Sequence, residues 1–351
     1  MTDAEARHSN GRGPAATRRQ ALALALGGVL TASTTRAQGK MPSDVVSIEV
    51  RSRGVSSFEA RDPTRRRFGK LDFRGGLQLT SPHKDFGGIS SLRVETAADR
   101  FLAITDKGYW LRGRITYDGA APSGVTEAEM APLLAADGRP IQRLRWYDAE
   151  ALAEDSGVAY VALERVHQIL RFEYGKLGLV APGQPIPVPP EFKRLRSNKG
   201  VEGLVVIPRG QPNAGALIAL AERGREEAEN IPGFIIGGRE PGAFTVRRSG
   251  DYDITDCAVV PTGDLLILER HFSYLRGVAM RLRRIALSQI IPGAVLDGQI
   301  VIEADMGFQI DNMEALSVHR APTGETVLTL VSDDNFSALQ RILLLQFTLL
   351  D

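Results

Sequence analysis

A strand–turn–strand pattern that recurs along the chain limits the folds that this sequence can adopt. Its clearest copy is Asp253–Ser273, in which two short apolar strands flank a Pro-Thr-Gly-Asp turn. The first strand of each copy carries a polar, usually acidic residue, followed by a small residue and then an apolar one. These key residues are Ser90, Glu150, Glu202, Asp256 and Glu314. The steps between them, 60, 52, 54 and 58 residues, are typical of propeller blades with loop insertions.

The second strand of each copy ends on an acidic residue. These residues are Asp106, Glu164, Glu222, Glu269 and Asp333. In a propeller the innermost strand of each blade runs along the central channel, and the next strand is antiparallel to it. The start of the first strand and the end of the second therefore lie at the same end of the channel. The pattern predicts that nine acidic residues surround one mouth of the channel.

The repeat predicts an all-β fold, a β-propeller of five four-stranded blades. The last copy stops one strand short, so we expect an N-terminal strand at Leu71–Leu79 to complete it and close the ring. A further strand is expected at Val45–Arg51, and six blades are the alternative if the N-terminal strands form a partial sheet of their own. Within blade one, Thr126 and Glu129 form a capping-box pattern that predicts a short helix over Val125–Ala136.

The N-terminus has the features of an export signal. Arg18-Arg19 precedes the apolar run Ala21–Leu30, and small residues around Thr35–Ala37 offer a cleavage site. We therefore predict a Tat-type signal peptide over residues 1–37 and one propeller domain over residues 38–351. The predicted partner is the twin-arginine export machinery, and the predicted location is periplasmic or secreted. No second run reaches the ~18 apolar residues of a membrane span, so no transmembrane segment is expected after signal removal.

Composition excludes several function classes. Removing residues 1–37 takes away five arginines and two acidic residues, so the net charge changes from +1 to +1 − (5 − 2) = −2, which gives no electrostatic case for binding nucleic acid. Cys257 is the only cysteine, so no internal disulfide can form, and we expect a packed, inert thiol. The sequence contains no Gly-x-Ser-x-Gly, His-Glu-x-x-His or phosphate-loop motif.

The acidic residues of the mouth have two interpretations at this stage. In the first, they pair with Lys107, Arg165, Arg223 and Arg270 and hold the blades together. In the second, some of them bind a hard cation, because oxygen ligands with few His and Cys residues favour Ca²⁺ over Zn²⁺. The candidate metal ligands are Glu150, Glu202, Asp256, Glu314, Asp106, Glu269 and Asp333. Both interpretations remain open from the residues alone.

Several of these segments together resemble a known family. They are Gly88–Ser90, Asn198–Leu204, Asp253–Asp256, Leu268–Ser273, Asp311–Leu316 and Ser332–Phe336. The set resembles the phytase-like family, described as having esterase-like activity of phytase, and the resemblance extends from about Gly87 to Phe347. It implies an exported β-propeller with a calcium-assisted activity that cleaves phosphoesters or esters.

Two classes of function follow from these observations. In the first, the protein is a calcium-dependent hydrolase of a small phosphoester or ester, with Glu202 and Glu314 as the catalytic candidates. Its substrate-binding candidates are Lys107, Arg165, Arg223 and Arg270, which would neutralise a phosphate. In the second, the protein is a non-catalytic periplasmic propeller that binds a ligand or serves as a scaffold. A lactonase-type metal hydrolase is a further alternative, since Asn198 and Asn312 lie close to Glu202 and Glu314 in sequence.

Overall fold

Five antiparallel sheets surround a central channel and form a five-bladed β-propeller. The structure is a computed structural model, and it describes residues 45–95, 99–226 and 229–350. The all-β prediction and the count of five blades are confirmed. The predicted signal peptide, residues 1–37, lies outside the described residues.

The strands are short, as the repeat predicts, and they account for most of the described residues. In chain order they are β1 (Val46–Ser47), β2 (Arg51–Val55), β3 (Arg67–Phe68), β4 (Leu71–Thr80), β5 (Ile89–Val94), β6 (Arg100–Thr105), β7 (Tyr109–Asp118), β8 (Ala121–Pro132), β9 (Ala149–Asp155), β10 (Val158–Leu163), β11 (Gln168–Phe172), β12 (Gln184–Pro185), β13 (Val201–Val206), β14 (Leu217–Ala221), β15 (Ile231–Ile236), β16 (Gly242–Val246), β17 (Asp253–Val259), β18 (Asp264–Ser273), β19 (Gly277–Ala286), β20 (Val295–Leu296), β21 (Gln299–Ala304), β22 (Asn312–Arg320), β23 (Thr326–Asp333) and β24 (Ile342–Leu349). The helical elements are α1 (Tyr174–Leu177) and short 3-10 turns at Ile141–Leu144, Gly178–Val180, Phe192–Arg194 and Leu287–Gln289. No helix of the described ranges is long and apolar enough to cross a membrane.

Each blade is a sheet whose innermost strand faces the channel. From the channel outward, the blades are β5-β6-β7-β8-β1, β9-β10-β11-β12, β13-β14-β15-β16-β20, β17-β18-β19-β21 and β22-β23-β24-β4-β2. The inner strands β5, β9, β13, β17 and β22 contact one another in sequence, and β22 contacts β5 to complete the circle. Residues at the start of every inner strand are therefore brought to one end of the channel.

The ring closes through the N-terminal part of the propeller. Strand β4 pairs with β24, so that blade five combines the N-terminal strands β2 and β4, with β3 paired to β4, with the last three strands of the chain. The closing strand predicted at Leu71–Leu79 is confirmed. The residues predicted as one spare strand, Val45–Arg51, divide between β1 on blade one and the first residue of β2 on blade five.

The helix predicted over Val125–Ala136 is wrong. Residues Ala121–Pro132 form β8, which pairs along its length with β7. Burial alternates along its end, with Ala128 and Met130 buried and Glu129 between them turned outward to bond Arg112. This two-residue period is that of a strand, and it outweighs the local capping-box pattern of Thr126 and Glu129.

The core consists of apolar layers between adjacent blades. The largest layer joins blades two, three and four and contains Cys257, whose side chain is fully buried. The prediction of a packed cysteine is therefore confirmed, and burial raises the pKa of its thiol. The layers hold the inner strands rigidly, which fixes the positions of side chains at the channel mouth.

Candidate functional site

A β-bulge lies near the start of every inner strand. In each case one residue of the inner strand has no partner in the pairing of the first two strands. The bulged residues are Ser90, Glu150, Glu202, Thr255 and Glu314. Because a bulge re-aims its extra side chain, five equivalent side chains are set around the channel mouth. This local irregularity, repeated in each blade, is what builds the site.

The second strand of each blade supplies a further position at the same mouth. The equivalent residues there are Asp106, Glu164, Glu222, Arg270 and Asp333. Four of the five carry carboxylates, and blade four contributes a cation instead. Together with the bulged residues, they form what we call the acidic mouth.

In blade four, the residues at the mouth are each one position away from those that the sequence predicts. Its bulge lies at Thr255, so the ring position predicted for Asp256 belongs to Thr255, and that predicted for Glu269 belongs to Arg270. The side chain of Glu269 is instead buried within its own blade, where Arg281 and Arg283 donate to it over 2.5 and 2.6 Å. The physical reason is the two-residue period of a strand, which sends the next side chain to the other face.

Asp256 lies deeper in the channel and binds Arg93 of blade one. Two guanidinium nitrogens of Arg93 donate to the two carboxylate oxygens of Asp256, each over 2.8 Å. The same guanidinium donates to backbone carbonyls of Leu204, Cys257 and Leu316, which belong to blades three, four and five. This pair, the channel plug, therefore ties the inner strands of four blades together. Sequence reasoning did not single out Arg93, although a charged residue on a channel-facing strand was a signal for it.

Three carboxylates of the acidic mouth converge on one point. Glu164, Glu202 and Glu222 each place one oxygen so that all three oxygens lie within 4.8 Å of one another. All three residues are buried. Glu164 accepts a hydrogen bond from the amide of Gly200 over 2.8 Å, and Glu222 pairs with Lys199 over 2.8 Å. No hydrogen bond to the Glu202 carboxylate occurs among the described residues.

The remaining mouth carboxylates add to a local excess of negative charge. Burial, together with neighbouring carboxylates, raises the pKa of Glu150 and that of Glu202 well above the usual range. Burial likewise raises the pKa of Glu314 to about 7, that of Asp333 to about 8 and that of Asp106 to about 6. Shifts in this direction indicate that the negative charge of the mouth needs bound protons or a bound cation to balance it.

Among the described residues, Arg270 and Lys199 form ion pairs with carboxylates of the mouth. Arg270 donates to Glu314 and to the side-chain oxygen of Asn312, and its guanidinium is 3.8 Å from Glu222. Lys199 pairs with the same oxygen of Glu222 over 2.8 Å. Sequence reasoning missed Lys199 because it precedes the inner strand rather than following the second one. Arg270, Lys199 and Glu222 thus form a charged group on the side of blades three to five.

The other predicted cations have partners outside the converging carboxylates. Arg223 pairs with Asp253 over 2.8 Å. Arg165 pairs with Asp148 and stacks on the Tyr147 ring, 4.2 Å from its centroid. The ammonium of Lys107 lies 2.9 Å from the centroid of the Phe336 ring. Of the four cations predicted to bind substrate, Arg270 therefore pairs directly with mouth carboxylates, and the other three have the partners named above.

The converging carboxylates fit a hard cation. Calcium–oxygen distances of about 2.3–2.6 Å allow two ligand oxygens on one ion to lie up to about 5 Å apart. The oxygens of Glu164, Glu202 and Glu222 meet this condition, and the donor set consists entirely of carboxylate oxygen. Among the predicted metal ligands, Glu202 belongs to this group, while Glu150, Glu314, Asp106 and Asp333 occupy the rest of the mouth.

Comparison with known proteins supports a family assignment. No curated protein matches this sequence. Solved structures with partial similarity include an endo-arabinase from Bacteroides thetaiotaomicron (11% identity, 74% of this chain and 94% of that chain, TM-score 0.45). Another is a glutaminyl cyclase from Myxococcus xanthus (11% identity, 77% of this chain and 94% of that chain, TM-score 0.40). The family model for phytase-like proteins, described as esterase-like activity of phytase, matches residues 84–336, and the chain therefore belongs to the phytase-like family.

Proposed function

We propose that the protein is a calcium-assisted hydrolase that cleaves a small phosphoester or ester at the acidic mouth. The observation that carries the proposal is the convergence of Glu164, Glu202 and Glu222, three buried carboxylates with few compensating cations. A buried cluster of this kind costs folding free energy, and a bound divalent cation would repay that cost. Family membership supports phosphoester or ester chemistry.

The three converging carboxylates are the residues that would hold the ion. When bound there, Ca²⁺ would polarise a substrate oxygen and make a water molecule more acidic. Three protein ligands leave room for water and substrate, since calcium takes 6–8 oxygen ligands. Glu202, one of the two catalytic candidates from sequence, is a metal ligand in this proposal.

The cations beside the cluster would bind the anionic oxygens of the substrate. Arg270 offers a planar guanidinium suited to a phosphate or carboxylate, and Lys199 supplies a second positive charge. Glu314, the other catalytic candidate, bonds Arg270 and is therefore a positioning residue. Glu150 has no cation partner among the described residues, and we assign to it the removal of a proton from the attacking water.

Calcium titration of the metal-stripped protein tests the proposal. We expect Ca²⁺ to raise the melting temperature, Mg²⁺ to fail to reproduce the rise, and Glu202→Gln to abolish it. The matched control is Glu240→Gln, which changes an exposed acidic residue on blade three and should retain the rise. An unchanged melting temperature in the unsubstituted protein would contradict the metal site.

Turnover is tested separately with p-nitrophenyl phosphate and p-nitrophenyl acetate. We expect calcium-dependent release of p-nitrophenol from at least one of them, reduced about 100-fold or more in Glu150→Gln. Calcium binding without turnover of these or other small esters would instead favour the non-catalytic, ligand-binding alternative.

We also propose that residues 1–37 direct export through the twin-arginine pathway, which would place the propeller in the periplasm or outside the cell. The support is the Arg18-Arg19 pair before an apolar run. Cell fractionation of the unsubstituted chain and of a variant with Arg18→Lys and Arg19→Lys tests this. The variant should remain in the cytoplasm, and equal export of both chains would contradict the pathway.

A further inference from the structure

A cavity of about 230 Å³ lies between blades five and one, away from the acidic mouth. Its lining includes Arg74, Asp99, Tyr117, His319, Pro322 and Val327. His319 follows the mouth residue Glu314 by five positions on β22, which at about 3.3 Å per residue places it roughly 17 Å along the strand. This blade five–one cavity is therefore at the opposite end of the propeller from the candidate metal site.

The interior of blade five next to this cavity is unusually polar. Each of its four main strands contributes a polar side chain: Arg74 from β4, His319 from β22, Thr329 from β23 and Gln346 from β24. The Gln346 amide donates to the hydroxyl oxygens of Tyr117 and Thr329, each over 3.0 Å. His319, Thr329 and Gln346 are more than nine-tenths buried. Burying so many polar groups in a blade costs folding free energy unless each of them has a hydrogen-bond partner.

The hydrogen-bonding capacity of these groups is only partly filled. The Nδ1 atom of His319 and the Oε1 atom of Gln346 are buried without a hydrogen-bond partner among the described residues. The Tyr117 hydroxyl oxygen accepts from Gln346, so its own proton is available to a second group. Burial lowers the pKa of His319 to about 4, so the imidazole is neutral near pH 7. Of these groups, Tyr117 and His319 line the cavity, so the cavity presents a hydroxyl proton and a neutral imidazole to a bound molecule.

Arg74 supplies the positive charge of the cavity, and Asp99 supplies a carboxylate to the same lining. Its Nε atom donates to the Ala120 carbonyl over 3.0 Å, and its Nη1 atom donates to Glu325 and Thr348 over 3.1 and 3.2 Å. No hydrogen bond from Nη2 occurs within the part of the chain that the structure describes. The side chain of Glu325 is 47% exposed, so the guanidinium already holds a carboxylate that solvent can reach. The geometry of a guanidinium suits carboxylates, and the Arg74 guanidinium already binds the carboxylate of Glu325.

We propose that the blade five–one cavity binds a small carboxylic acid with an apolar body. The carboxylate would bind Arg74 and the Tyr117 hydroxyl, and the apolar body would contact Ala321, Pro322 and Val327. At about 30 Å³ for each water of liquid volume, the cavity has room for roughly eight waters, which is the size range of benzoate. The site is independent of the function proposed for the acidic mouth.

Benzoate and benzyl alcohol are the probes for this site, since they share a ring and differ in charge. Binding is followed by isothermal titration and by the ring resonances of His319 and Tyr117 in the complete domain. We expect saturable binding of benzoate that shifts both sets of resonances, with benzyl alcohol weaker by about tenfold or more. Neither measurement depends on enzymatic turnover or on calcium.

Three variants locate the binding. Arg74→Gln should weaken benzoate binding about tenfold or more, and Glu325→Gln should strengthen it because a competing carboxylate is removed. Arg239→Gln, which removes an exposed arginine on blade three, should leave it unchanged. Circular dichroism of each variant establishes that the fold is retained.

Any of three results would overturn the proposal. One is the absence of saturable shifts at His319 and Tyr117 when benzoate is added to the unsubstituted protein. The second is equal binding of benzoate and benzyl alcohol. The third is equal binding of benzoate by the folded Arg74→Gln and Glu325→Gln variants. Failure of the calcium experiments at the mouth would leave the test of this cavity unaffected.

Discussion

At the scale of single residues, the channel plug offers the sharpest test of how the structure is held together. Replacing Arg93 by Met leaves the carboxylate of Asp256 buried without its cation. We expect the free energy of unfolding to fall by about 3–5 kcal/mol, measured by urea denaturation. The variant that also carries Asp256→Asn should recover part of this loss, because no buried charge then remains. An equal loss in both variants would contradict a charge-based role for the pair.

His319 gives a second residue-scale prediction, for the dependence of stability on pH. Its folded-state pKa, about 4, lies below the ordinary value of 6.5. Below pH 6.5 the imidazole of His319 binds a proton in the unfolded chain but not in the folded one. Stability is therefore lost as the pH falls from about 6.5 to about 4. The loss amounts to about 3 kcal/mol over this window. As the pH falls through this window, the urea midpoint of the unsubstituted protein should fall more than that of His319→Gln. An equal dependence of the two midpoints on pH would contradict the assignment.

The sequence alone could predict part of the acidic mouth at this scale. The positions of Glu150, Glu202 and Glu314 follow from the repeated pattern, and the structure places all three at bulges. In blade four the adjacent residues Thr255 and Asp256 both fit a polar position, and counting from the acidic residue shifts the alignment by one. Counting from the apolar residue before the bulge, Ile254, would have given the structural alignment. The partnership of Arg93 with Asp256 depends on two blades, 163 residues apart, and no local pattern shows it.

At the scale of strands, the closing strand β4 has a position that does not accept a side chain. A Cβ added at Gly76 would lie 2.7 Å from the Leu345 side chain and 2.8 Å from the Leu344 carbonyl. We expect Gly76→Ala to lower the free energy of unfolding by about 1–3 kcal/mol in urea denaturation. Gly54→Ala, on the neighbouring strand β2, is the matched control, since a Cβ there meets nothing within 4 Å.

The control variant should lie within about 0.5 kcal/mol of the unsubstituted protein. Equal stability of the two variants would contradict the pairing of β4 with β24. The existence of this closing strand could be predicted, because a ring with one missing strand leaves an unpaired edge. The strand β8 could not be recognised in the same way, because four residues of capping-box pattern gave a local signal for helix while the pairing with β7 is a longer-range effect.

At the scale of the whole molecule, the mouth carboxylates make stability depend jointly on pH and calcium. In the metal-free protein, Glu314 and Asp333 hold protons up to about pH 7 and 8, whereas their ordinary pKa values are 4.5 and 3.8. The folded state thus binds more protons than the unfolded state between about pH 4 and 8, and stability falls as the pH rises through this window. Bound Ca²⁺ would offset the loss.

We therefore expect the increase in melting temperature on adding Ca²⁺ to be larger at about pH 8 than at about pH 5. Differential scanning calorimetry of stripped and calcium-loaded protein at the two pH values measures this. A calcium effect that is equal at both would contradict the coupling between the ion and the mouth carboxylates.

The channel plug also limits what can react at the mouth. With the Arg93 guanidinium spanning to the carbonyls of Leu204, Cys257 and Leu316, the channel is a dead end rather than a tunnel. A polymer cannot be threaded through it, and in the proposed hydrolase the product would leave by the entrance that admitted the substrate. The architecture thus favours compact molecules, or the exposed terminus of a longer molecule, that can enter and leave by the same end of the channel.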